Sequence, residues 1–190
     1  MDLATLFHRT VDTWTERVAT VADDQWGSPT PCTEWSVRDL VNHVTGEDRW
    51  TVPLMQGSTI ADVGSSLDGD LLGDRPGPAA SAAATQAVAV VDERLPSHGT
   101  VHLSYGDEKM DEYILQLCAD HLVHAWDLAA ATGGDTTLDP ELVTEVAAWF
   151  ADREQMYRAG GAIGPHQEAA PDPQSQLLAG FGRSATWTPR

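Results

Sequence analysis

Basic residues are scarce in this 190-residue chain, where 11 lysines and arginines stand against 29 aspartates and glutamates for a formal charge of −18. A field of that sign repels phosphate backbones and anionic lipid surfaces, so neither nucleic acid nor membrane is an expected partner. Cysteine is sparse too, with Cys32 and Cys118 far apart and without C-x-x-C spacing. That excludes a disulfide framework and a cysteine-rich zinc site, and two free thiols are expected. No apolar run approaches the ~20 residues needed to cross a bilayer. The opening "MDLATLFHRT" lacks the basic start and apolar stretch of a secretory signal, so a cytoplasmic location is expected.

What the chain does have is helical periodicity. Leu3, Leu6, Phe7, Val11, Trp14 and Val18 recur at three- and four-residue steps, which predicts a first helix from Asp2 to about Ala22. "WGSPTPCTEW" breaks it, and Ser36 with Asp39 three residues on marks the start of a second helix, Val37 to Gln56, whose last turn contains Pro53. Residues 57–77, rich in glycine, serine and aspartate, read as a long surface loop. An alanine-rich helix follows from Pro78 to Leu95, then an extended piece over 99–106, then a helix from Lys109 to Thr132 stopped by "GG". Asp139-Pro140 opens a fifth helix to about Arg158, and a short one is expected near Gln174 to Gly180. With no convincing sheet, the fold class is all-α, a helical bundle.

The fourth long helix carries the chemistry, in "DHLVHAWD" from Asp120 to Asp127. His121 falls at the centre of its apolar stripe, and His124 lies roughly 60° around the helix from that centre. Asp120 and His124 form an i, i+4 pair pointing in nearly one direction, which lets two ligands share one ion. On the second helix His43 stands at the edge of the stripe of Val37, Leu40 and Val44. If the two edges face one another, His43, Asp120 and His124 converge as two imidazoles and a carboxylate, a set that suits Zn²⁺ with open positions for water or substrate. Nickel, iron or manganese would also fit such ligands. Asp127, one turn beyond His124, could orient a ligating imidazole. Other sets stay open from spacing, since Glu47 is i+4 from His43 and His121 adjoins the pair. An Asp–His i, i+4 pair is also a common exposed helix pair, and His121 reads equally as a buried neutral histidine with a hydrogen-bonded partner.

The segments "PTPCTEWSVRDLVNHV" (29–44) and "DHLVHAWDLAAATG" (120–133) resemble the DinB-like metal-binding bundle, specifically the mycothiol-dependent maleylpyruvate isomerase N-terminal domain family of actinobacteria. "QSQLLAGFGRSATW" (174–187) is similar to the end of a single-domain branch of that family. The resemblance implies a DinB/YfiT-like four-helix bundle over residues 1–160 with an additional C-terminal helix and an irregular tail over 161–190. It implies a divalent metal, usually zinc, on His43, Asp120 and His124. Asp120 departs from the family's common glutamate and is one methylene shorter. The family's isomerase has a second domain carrying a required arginine, which this sequence does not show, so maleylpyruvate isomerisation itself is not expected. Single-domain thiol transferases of the same fold imply instead a metal-dependent transferase or isomerase that takes a low-molecular-weight thiol such as mycothiol, with a small electrophile as the other partner. A non-catalytic small-molecule-binding bundle is the alternative, and an acidic module docking a basic protein a third. Trp35, Trp50 and Trp126 read either as walls of an apolar pocket or as packing anchors, and Cys32 as a packed thiol. No stripe compels a dimer, so monomer and homodimer both stand.

Overall fold

The computed structural model describes residues 1–189. Four long helices form the frame, α1 (Leu3–Val18), α2 (Val37–Met55), α4 (Pro76–Arg94) and α5 (Met110–Thr132). They close a ring in which α1 packs on α5 and α4, and α2 packs on α4 and α5. The fold is thus the DinB-like helical bundle, with the short α3 (Ile60–Val63) inside the 57–77 connection and α6 (Pro140–Phe150), α7 (Glu154–Ala159) and α8 (Pro173–Gly180) added outside the ring.

Local chemistry explains the boundaries. At α2, the Ser36 hydroxyl accepts from the Asp39 amide while the Asp39 carboxylate accepts from the Ser36 amide, a reciprocal capping box. α2 stays helical through Pro53 to Met55, so the proline removes one intrahelical bond without ending the helix. Gly133 ends α5 in the left-handed conformation, where a glycine has no Cβ to clash.

Three expectations need correction. The extended piece at 99–106 is one arm of a β-hairpin, β1 (Thr100–Leu103) pairing antiparallel with β2 (Gly106–Lys109), so a small sheet exists after all. The fifth predicted helix divides at 151–153 into α6 and α7. The first helix ends at Val18, four residues early, and the chain turns through Thr20 and Val21.

α5 is the axis of the molecule. From Ala119 to Ala131 nearly every residue is buried, not one stripe alone. α6 and α8 account for this, since α6 packs on α5 and on α8, and Leu177, Leu178 and Phe181 from the C-terminal part join the same apolar cluster as Leu122, Val123 and Trp126. A helix with both faces covered has little amphipathic signature, which is why its ionisable groups end up inside the protein.

Candidate metal centre

The short loop before α2 delivers the first wall. Pro29 pairs with Ser36, and the Thr30 hydroxyl ties the loop together through Cys32 and Trp35. Glu34 takes a left-handed backbone (φ 70°), a conformation uncommon outside glycine, asparagine and aspartate. The result is a tight turn that presents Cys32 and Trp35 to a cavity of about 580 Å³.

On that cavity His43 from α2 meets Asp120 and His124 from α5. Nε2 of His43 lies 3.5 Å from Asp120 Oδ2, and Nε2 of His124 lies 3.3 Å from Asp120 Oδ1. One ligand atom from each residue falls within 4.8 Å of the others. Trp35 covers the two imidazoles, its ring 5.0 Å from that of His43 and 6.2 Å from that of His124. Asp120 Oδ2 is buried and accepts no hydrogen bond, although buried carboxylate oxygens are nearly always satisfied. Two imidazoles and a carboxylate with one oxygen left unsatisfied make a donor set that fits a divalent cation.

Asp127 stands behind the cluster. Its Oδ2 accepts from His124 Nδ1 at 2.9 Å, which turns Nε2 toward Asp120 and the cavity. Arg183, from the C-terminal segment, donates to the same oxygen at 2.9 Å and lies 3.3 Å from Cys32 Sγ. Cys32 in turn donates to Asp127 at 3.3 Å, so the thiol is a half-buried member of the wall rather than a merely packed group. Neither Cys32's place nor Arg183's was expected; Arg183 lies within the stretch 174–187 that resembles the family, but no helical period there points it at α5.

The charges act on one another. Burial by itself would push Asp120 up, yet His124 and His43 overcome it and hold the carboxyl well below its usual range. Burial would lower His124, but Asp120 and Asp127 raise it well above an ordinary imidazole. Asp127 is also held low, against its burial, by Arg183 and His124. Glu47 lines the cavity without joining the cluster of three, and burial together with Asp120 raises its carboxyl.

His121 points elsewhere. Its Nδ1 donates to the Leu117 carbonyl at 2.7 Å and its Nε2 lies 3.1 Å from Asp48 Oδ1, both groups being fully buried. It is the buried histidine with a partner, not a member of the cluster. Of the three tryptophans read from sequence, Trp35 alone lines the cavity. Trp126 is buried in the core and Trp50 packs against it, while Trp149 from α6 takes the place on the wall.

A DinB-like bundle with histidines and a carboxylate gathered on one cavity defines the class. The chain belongs to the family described as the mycothiol maleylpyruvate isomerase N-terminal domain, whose profile matches residues 7–129. It is 33% identical over 196 residues to the uncharacterized proteins Rv0738 and MT0763 of two Mycobacterium tuberculosis strains, with 97% of this chain and 99% of each relative covered. Among solved structures it is similar to the mycothiol-dependent maleylpyruvate isomerase (TM-score 0.54, 18% identity) and to a histidine-to-alanine mutant of that enzyme (TM-score 0.65, 15% identity). Each superposition covers 92% of this chain and 78% of the other, a likeness of fold.

Proposed function

We propose that the protein is a metal-dependent transferase or isomerase that uses a low-molecular-weight thiol such as mycothiol, with His43, Asp120 and His124 as the ligands of one divalent metal, zinc by preference. The observation that carries the reading is the His–Asp–His cluster on the cavity wall with its orphaned Asp120 oxygen. Family membership and the fold shared with the mycothiol-dependent isomerase support the choice of a thiol.

A divalent ion held there supplies Lewis acidity that lowers the pKa of a thiol or water. The chain's own groups do the rest. Asp127 keeps the His124 Nδ1 proton and so presents Nε2 to the cavity, while Arg183 fixes Asp127 in turn. Trp35 packs over the two imidazoles, of which His124 is buried and His43 half-exposed. Glu47, a carboxylate on the same cavity wall, is placed to take up a proton released from an entering thiol.

The test is consumption of mycothiol in the presence of a panel of electrophiles by zinc-loaded protein. Turnover that disappears on chelation and in His124→Ala supports the reading. Metal bound without turnover of any thiol and electrophile favours the non-catalytic binding bundle.

A further inference from the structure

The same cavity has a second end of different character. Trp35, His43 and His124 form one group of rings. Trp149, Phe150, Tyr157 and Phe181 form another, with Trp149 and Tyr157 edge to face at 6.0 Å and Phe150 stacked on Phe181 at 3.9 Å. Trp149, Tyr157, Phe181 and Ile163 all line the cavity. Tyr157 and Ile163 remain only half-buried, so apolar surface is left facing the space.

The side-chain nitrogen donors around that end are committed elsewhere. The Trp149 indole N–H donates to Glu112 at 3.1 Å. The Arg158 guanidinium is held by Glu154, the Gly180 carbonyl and the Gly164 carbonyl. Arg183 is taken up by Asp127, Cys32 and the Phe181 carbonyl. A ligand entering here meets mainly ring faces and aliphatic carbon, with the Tyr157 hydroxyl as the polar atom among them, surfaces that favour a flat, largely apolar body.

The C-terminal segment closes this end. Gly182 adopts a positive φ of 81°, and a Cβ there would come within 3.1 Å of the Gly164 backbone, so the two strands of chain lie directly against each other. That contact, clamped by Arg158, sets Phe181 and Ile163 over the cavity.

We infer that the cavity is a two-ended site whose aromatic end, closed by segments 160–164 and 181–183, selects a second substrate with a flat, apolar body, an aromatic or conjugated electrophile. This rests on the thiol-transfer reading for the role of the ligand, but its binding test needs neither metal nor thiol. The probe is N-phenyl-1-naphthylamine, a neutral dye whose fluorescence rises in apolar surroundings. Metal-free and zinc-loaded wild type should bind it saturably at one site per chain. 1-Chloro-2,4-dinitrobenzene should displace it, and the compact polar acrylamide should not. Ile163→Asp and Tyr157→Ala, each retaining the helical circular dichroism of wild type, should weaken binding at least about tenfold by removing apolar contact. Absence of saturable binding, displacement by acrylamide alone, or affinity unchanged in both variants overturns the inference. Loss of dye binding with metal binding intact defeats this inference alone, whereas dye binding without metal binding defeats the thiol-transfer reading alone.

Discussion

Asp127 decides which nitrogen His124 offers. Its oxygen accepts from Nδ1 while Arg183 holds it in place, so Asp127→Asn should leave the fold intact and weaken metal affinity by roughly 10–100-fold, read by competition against a chromophoric chelator. Affinity unchanged in that variant would contradict the role. The pH dependence follows from His124, whose pKa is raised by Asp120 and Asp127 against the effect of burial. Ligation requires the deprotonated Nε2, so in the metal-free protein a proton competes up to a pH above the ordinary imidazole range. Metal affinity should therefore rise with pH across that interval and fall as pH drops through it. The two thiols differ as well. Cys32 lines the cavity whereas Cys118 is fully buried, its thiol pushed up to about 12 by burial, so iodoacetamide should label Cys32 in the native protein and Cys118 only after unfolding. The convergence of His43, Asp120 and His124 was legible from helical spacing taken together with the family resemblance, while spacing alone left Glu47 and His121 open. Arg183 and Cys32 were not, because irregular segments with no period carry them into the site.

The helices themselves were legible from periodicity and capping. Ser36 announces the start of α2, and Ser36→Ala should cost about 1 kcal/mol in thermal or denaturant unfolding. The alternation that suggested an extended piece at 99–106 held for β1, but β2, "GDEK", is polar and exposed along most of its length and gave no strand pattern. The break between α6 and α7 was equally silent, since Asp152 and Arg153 are ordinary helix-surface residues. There Arg153 turns back to Glu112 on α5 and lies over the Trp149 ring, contacts from tertiary structure that periodicity does not contain. α5 was read with one apolar stripe, whereas α6, α8 and the tail bury it on its outer face too. Leu128, on the stripe facing Trp14 and Val44, should lose about 2–5 kcal/mol of stability as Leu128→Ala without altering the identity of the metal ligands.

At the scale of the whole molecule, the charge of −18 sits on a chain whose ring of helices is closed by the C-terminal segment over one cavity. Self-repulsion of that charge destabilises the compact state and is screened by salt. The melting temperature should rise as ionic strength goes from ~0.01 M to ~0.15 M, where the screening length shrinks from ~30 to ~8 Å. A fall over that range would show that the surface ion pairs, such as Arg9 with Asp139 and Glu141, outweigh the repulsion. Among the described residues no helix is long and apolar enough to cross a membrane. The most direct test of the central claim is the metal stoichiometry, by inductively coupled plasma mass spectrometry, of protein loaded with zinc and freed of excess. One metal per chain in wild type, lost in His43→Ala and in His124→Ala while both variants stay folded, is the expected result. No metal in wild type, or one metal per chain retained in both variants, would contradict it.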